Sequence, residues 1–345
     1  MLNLDKKDLQ IIEILAKNCR VPRTTLAQAL HVSKDTIRYR IHRLESEGYI
    51  SQYVLFVDAR TLGFTRYHIL ISFDELTDKE ETYRKLSEHP YVMWINTFIG
   101  RFDIQIIVDA TDGFHLNKIR QELFTICENK IKEYIILTHL CDLEFTQLNP
   151  LLMVNTPIQT KNDFSFSSLL FSRNFPVKQA FTLYKPDAKE IDILNALADQ
   201  PNKSLVALSR ALTIDRITTK KKITLLIEQK IILNFGAIPN LSKLGFVTYY
   251  LLVRVAQQTP FTVLQKPFLH LQNIFYAGQM IGDYDMILYL NARNPQELNE
   301  SISLFRREIE KFILRYDLLV QDKVHHWRQF SKGIYSLLKE KGDYR

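Results

Sequence analysis

Two runs of basic, hydroxyl and aromatic side chains carry most of the chemistry legible in this chain. The first holds Ser33, Lys34, Thr36, Arg38, Tyr39, Arg40, His42 and Arg43; the second holds Arg216, Thr218, Lys220, Lys221 and Lys222. Cations grip phosphate oxygens. The forked arginine guanidinium also fits the major-groove edge of guanine, whereas lysine acts as a point charge. Such a set suits double-stranded DNA, provided that one element presents it on one face. Two matched spacings suggest a different chemistry, Gly100-Arg101-Phe102-Asp103 and Gly282-Asp283-Tyr284-Asp285. Each places a carboxylate three residues beyond a glycine. From spacing alone these are hairpin turns, with glycine supplying a positive φ and aspartate closing the turn.

The element that must present the first set lies between Leu26 and Ile50. Leu26, Ala27 and Leu30 stripe a short helix, His31 and Val32 make a tight turn, and Ser33 is a good N-cap for a second helix over about 34–47. Ile37, Ile41 and Leu44 line its inner face. Asp35, Thr36, Tyr39, His42 and Arg43 then face outward, with Arg38 and Arg40 on the flanks. Gly48 follows as a helix-ending residue with positive φ. Leu4 to Lys17 precedes these as an amphipathic helix with Asp5 and Asp8 at its positive end. Three helices in this order make a helix-turn-helix unit whose last helix suits the major groove. Ser51 to Asp58 reads as a wing strand leading out of it.

Beyond Leu62-Gly63-Phe64 the period changes. Strands at Tyr67–Phe73, Val92–Ile99, Asp103–Ala110 and Ile131–Phe145 alternate with helices at Asp78–His89 and Asp112–Lys130. The order β-α-β-β-α-β is the ferredoxin-like split motif. Its helices cover one sheet face and leave the other in need of a partner. Val92, Trp94, Ile104, Ile106 and Val108, and in the second half Phe275, Met286, Leu288 and Leu290, are the apolar residues assigned here to those open faces.

The whole unit then recurs at a constant offset of 182 residues: Asp5 on Asp187, Leu44 on Leu226, Leu62-Gly63-Phe64 on Leu244-Gly245-Phe246, Asp103 on Asp285, Ile131 on Ile313. The fold class is therefore α+β, a tandem duplication of winged helix-turn-helix plus ferredoxin-like domain. The domains expected are 1–58 and 184–240 (helix-turn-helix), 65–148 and 247–326 (ferredoxin-like), a linker over 149–183, and a C-terminal helix over 327–345 that starts at Trp327. Phe164, Phe166, Phe171 and Phe175 argue that the linker packs on a domain surface. The second half departs from the first: Ser33 becomes Asp215, Ile37 becomes Thr219, Arg40 becomes Lys222 and Gly48 becomes Lys230. The last change implies a differently closed helix end. The lysine-rich second helix either grips DNA backbone or only supports its partner.

Composition fits this reading. The chain has 345 residues, 46% hydrophobic and 24% charged, with net charge +7 and pI ≈ 9.1, a modest excess compatible with polyanion binding. Cys19, Cys127 and Cys141 lack metal-ligand spacing and read as free thiols of a reducing cytoplasm. No apolar run is long enough to span a bilayer. His325-His326 reads as a surface pair, and no metal or cofactor is called for.

Both halves resemble the Lrp/AsnC (feast/famine) family of transcription regulators. The resemblance rests on Leu4, Asp5 and Asp8, on Ser33, Thr36, Ile37, Arg40, Ile41, Leu44, Glu45, Gly48 and Ile50, and on Gly100 and Asp103. It implies a DNA-binding regulator, not an enzyme, whose ferredoxin-like sheets pair face to face. It also implies an amino-acid effector near Gly100, Asp103, Gly282 and Asp285. The partners implied are double-stranded DNA, that effector and an internal pseudo-dimer of the two halves, with a homo-oligomer also open. Siroheme decarboxylases resemble the same fold and can also occur as two related halves. They depend on histidine and arginine in the second-strand and hairpin region, and neither half has a histidine there. The third reading is an effector-binding module without DNA affinity.

Overall fold

The computed structural model describes residues 4–74, 78–128, 130–145, 182–256, 259–264, 271 and 273–342. The four linker phenylalanines lie outside these residues.

The first head contains α1 (Lys6–Lys17), α2 (Arg23–Ala29) and α3 (Lys34–Ser46), followed by β1 (Ile50–Val57). Asp5 and Asp8 cap α1 reciprocally, each carboxylate accepting the other's backbone N–H. Ile11, Leu15, Leu26, Ile37 and Leu44 are buried together between the helices. The second head repeats the plan with α6 (Ala188–Asp199), α7 (Leu205–Leu212), α8 (Arg216–Glu228) and β6 (Ile232–Pro239). The end of α8 corrects one expectation. Lys230 takes the left-handed conformation (φ 57°) that Gly48 takes after α3 (φ 70°), so both helices close alike. The lysine adopts it at a steric cost of roughly 1–2 kcal/mol.

β1 does not act as a wing confined to its own head. It pairs antiparallel with β6, Tyr53 opposite Ala237 and Leu55 opposite Phe235, so one two-stranded ribbon joins the heads. Arg20 adds bonds to the carbonyls of Pro201 (2.7 Å) and Lys203 (2.8 Å) across the same junction.

The first ferredoxin-like unit is β2 (Thr65–Phe73), α4 (Lys79–Glu88), β3 (Val92–Ile99), β4 (Ile104–Ala110), α5 (Gly113–Ile126) and β5 (Ile131–Phe145). The second is β7 (Val247–Val255), the short α9 (Phe261–Leu264), β8 (Ile274–Ile281), β9 (Met286–Ala292), α10 (Pro295–Ile309) and β10 (Ile313–Trp327). Both sheets are antiparallel. They do more than stack: β5 pairs with β8 and β10 with β3, closing one eight-stranded barrel in the order β10-β3-β4-β2-β5-β8-β9-β7. Closure pairs the outer strands of both four-stranded sheets with each other.

Strand parity corrects the list of open-face residues. Trp94 and Phe275 do face the barrel interior. Val92, Ile104, Ile106 and Val108 instead pack under Leu86, Ile119 and Leu123 of α4 and α5, and Met286, Leu288 and Leu290 pack with Phe305 and Ile309 of α10. Both faces of these strands are buried, so hydrophobicity alone does not reveal which parity points inward. The interior also holds polar groups: Asn96, Gln105, His68 and Asp109 are all buried.

The C-terminal region differs from expectation too. Trp327 is the last residue of β10, and the helix, α11 (Lys332–Gly342), starts later. Its Ile334 is buried in the second head's core, while Leu337 and Leu338 are partly buried against it. Tyr335 donates to Asp192 of α6 (3.1 Å). His325 and His326 are half-buried rather than fully exposed.

Candidate functional site

On α3 the Ser33 hydroxyl accepts the Thr36 N–H at 3.0 Å and so fixes the helix start. Lys34, Asp35, Arg38, Tyr39 and His42 are exposed, Tyr39 at 67%, and Thr36 is partly covered. Arg38 pairs with Asp35 at 2.9 Å. Arg40 and Arg43 correct the helical-wheel reading. Arg40 reaches Asp5 (2.8 Å) and Asp8 (2.7 Å), and Arg43 bonds Asp8. Asp8 is 1% exposed. A carboxylate buried that deeply needs charge partners, and these two arginines supply them. On α8, Asp215 caps the Thr218 N–H at 2.8 Å, and Arg216, Lys220 and Lys221 are exposed. Lys222 is turned back onto Asp187 and Glu190, the second-half counterpart of the Arg40 contact.

The two glycine-aspartate hairpins lie where the sheets meet. A Cβ on Gly100 would stand 2.8 Å from Leu319 Cδ2 and 3.2 Å from the Leu318 carbonyl; one on Gly282 would stand 2.8 Å from the Ile136 carbonyl. Asp103 accepts the Phe73 N–H and Asp285 accepts the Val255 N–H, each at 2.8 Å. Arg101 donates to the Tyr284 hydroxyl at 2.8 Å, tying one hairpin to the other.

A chamber of about 240 Å³ opens between the barrel and the head-joining ribbon. Its polar lining comes mainly from the first half. Arg66 forks onto Asp109 (3.0 and 3.2 Å), Arg60 onto Asp58 (2.9 and 2.8 Å), and His139 contacts Asp142 at 3.0 Å. His68 lies 6.0 Å from His139, ring centre to ring centre. Trp94 and Trp327 stack at 4.4 Å, with Phe275, Tyr276 and Tyr289 completing an aromatic wall. Burial holds His68 well below the usual imidazole pKa, and His139 and Arg66 push the same way. Burial acts to raise the Asp142 carboxyl, but His139, Arg60 and Arg66 outweigh it and hold it below its ordinary value. Among the described residues no three His, Cys, Asp or Glu side chains converge as a metal would require.

The second strand and hairpin, where histidine is expected for tetrapyrrole chemistry, hold none; His68 and His139 arrive instead from β2 and β5, which the sequence does not single out. Their one sequence-level signal is polarity at inward positions of otherwise apolar strands.

Residues 4–51 match the family described as winged helix-turn-helix DNA-binding. The chain is 31% identical over 124 residues to the HTH-type transcriptional regulator LysM of Saccharolobus solfataricus, covering 36% of this chain and 86% of that protein. It is 30% identical over 139 residues to the regulator LrpA of Pyrococcus horikoshii, covering 40% of this chain and 93% of that one. Over nearly its full length the fold is similar to that of the siroheme decarboxylase NirDL, with a TM-score of 0.60, 14% identity, and 97% and 98% of the two chains covered. Paired winged heads, split β-α-β-β-α-β units and regulators matched over most of their length lead to one conclusion: the chain belongs to the Lrp/AsnC family of HTH-type transcriptional regulators.

Proposed function

We propose that the chain is a sequence-specific DNA-binding regulator that carries both halves of a regulator dimer in one polypeptide. We take it to divide into two heads, two ferredoxin-like units and the connecting and terminal segments. The observation that carries this reading is α3: on a head of the matched type, it presents Lys34, Arg38, Tyr39 and His42 to solvent beside its capped turn. These groups read bases and hold phosphate, while Arg40 and Arg43 set the helix against α1. On α8, Arg216, Lys220 and Lys221 grip backbone, so sequence demand is stronger on one half-site. Selection of bound fragments from random DNA, followed by sequencing, tests this. An imperfect palindrome with one well-specified half is the expected result, and no enriched motif would remove the reading. An amino acid at the Gly100/Asp103 and Gly282/Asp285 hairpins is the effector this reading entails. Thermal shift at millimolar amino acid tests it, since even weak binding to the native state raises stability.

A second reading is enzymatic. The fold neighbour named a siroheme decarboxylase covers 97% of this chain, and His68, His139 and two arginines line the chamber. A tetrapyrrole absorbance band on the purified protein would support it.

A further inference from the structure

The outer face of α8 carries one residue to which the regulator reading gives no role. Ile217, Lys220, Lys221 and Thr224 follow the i, i+3, i+4 and i+7 spacing that lines one face of a helix. Thr219, Ile223, Leu226 and Ile227, on the other side, are buried in the second head. Arg216, Lys220 and Lys221 are exposed, and among these three cations stands Ile217, itself 69% exposed. An isoleucine gains nothing there in the free protein. Its branched Cβ lowers helix propensity, and its apolar surface stays in water. Nor does it suit a phosphate, whose charged oxygens would lose water against a side chain without a donor. The surroundings are nevertheless those of a DNA contact. Cations flank Ile217, and it is the second residue of α8. In helix-turn-helix docking, the N-terminal residues of this helix meet base edges in the major groove. Of the four bases only thymine presents an apolar group there, its C5 methyl.

The first head differs at this position. At the offset of 182 residues Ile217 corresponds to Asp35, an exposed carboxylate paired with Arg38 at 2.9 Å. An ionised carboxylate gains nothing from a methyl group and would lose water against it. Its own match on a base edge is the N4 amino group of cytosine. A thymine preference at this register therefore belongs to the second head alone.

We propose that Ile217 reads the C5 methyl of one thymine in the half-site held by the second head, while Arg216, Lys220 and Lys221 hold the phosphates around it. The inference rests on the regulator reading and adds a specificity-determining residue to it. The less specified half-site then carries one thymine demand that the other half does not share.

The site enriched by the full chain from random DNA serves as the probe. Each of its thymines is replaced singly by deoxyuridine, which removes the methyl and leaves every hydrogen-bonding group in place. Expected is one thymine, in the less specified half, whose replacement weakens binding roughly fourfold, the worth of one buried methyl group. The same replacement is expected to leave Ile217→Ser almost unaffected and to weaken Ile217→Val as it weakens the parent chain. Each comparison sets two DNAs against the same protein, so a general loss of affinity or of folded protein in a variant cancels from the coupling. Three results overturn the role of Ile217 and leave the regulator reading standing: no thymine in that half responds to loss of its methyl, the response persists undiminished in Ile217→Ser, or the enriched site has a single half. A chain that enriches no motif removes the regulator reading and this role with it.

Discussion

At the scale of single residues, the charges of α3 divide between stability and recognition. Arg43 is bonded to the buried Asp8 and, among the described residues, Arg38 to the exposed Asp35. Arg38→Ala is expected to leave the melting temperature unchanged and, if Arg38 reaches a base edge, to cost ~1–3 kcal/mol of DNA affinity at one position. Equal weakening on every sequence would reduce Arg38 to phosphate contact. Asp8→Asn leaves two arginines without their shared partner and is expected to destabilise the fold by about 3 kcal/mol, seen in a denaturant titration. Asp5 still holds Arg40, which limits the loss. His68 governs a different observable. Its folded pKa is depressed, so the unfolded chain binds the extra proton once the pH drops below the ordinary value of 6.5. Stability is then full above that pH and falls as the solution is acidified further. His325 and His326, also lowered mainly by burial, act in the same direction. His68→Gln is expected to flatten the decline between about pH 6.5 and 5. A decline as steep as in the parent chain would show that His68 is protonated in the folded state.

At the scale of elements, the hairpins decide how closely the sheets approach. Gly282 has φ 144°, and its hydrogen faces the Ile136 carbonyl, a backbone atom that cannot swing aside. Gly100 has φ 150° and meets first the tip of the Leu319 side chain, which can yield. Gly282→Ala is therefore expected to be the more damaging of the two. Strain and a pushed-apart seam together cost ~1–3 kcal/mol. Thermal unfolding of both variants checks the order, and an equal or reversed ranking would show that the β5–β8 seam has slack.

At the scale of the molecule, three strand pairings among the described residues join the halves: β5 to β8, β10 to β3 and β1 to β6. Each half alone would expose Leu70, Phe102, Tyr250 or Ile287 from the barrel interior, at about 25 cal/mol per Å² of apolar surface. Expressed as separate chains, residues 1–145 and 182–345 are expected to form a one-to-one complex, read by light scattering. A first half that pairs with itself and ignores the second would mean that the covalent connection, rather than complementary side chains, enforces the internal arrangement.

The sequence by itself determined the duplication, the three-helix heads and the β-α-β-β-α-β order, because caps, helical stripes and strand alternation are signals between near neighbours. Ser33 and Asp215 as N-caps, and Asp5 and Asp8 at the positive end of α1, were legible for that reason, as were the glycines of both hairpins; the reciprocal capping box of Asp5 and Asp8 was not. The tertiary structure decided the rest. Arg40 and Arg43 looked free on a helical wheel because their carboxylates lie 32 and 35 residues earlier in the chain. Closure of the barrel turned on strand parity and edge pairing, which strands buried on both faces do not disclose. The chamber draws its walls from residues as distant as Phe56 and Gln329. No local pattern links His68 to Trp327; only the folding of one half onto the other brings both residues into the wall of the same chamber.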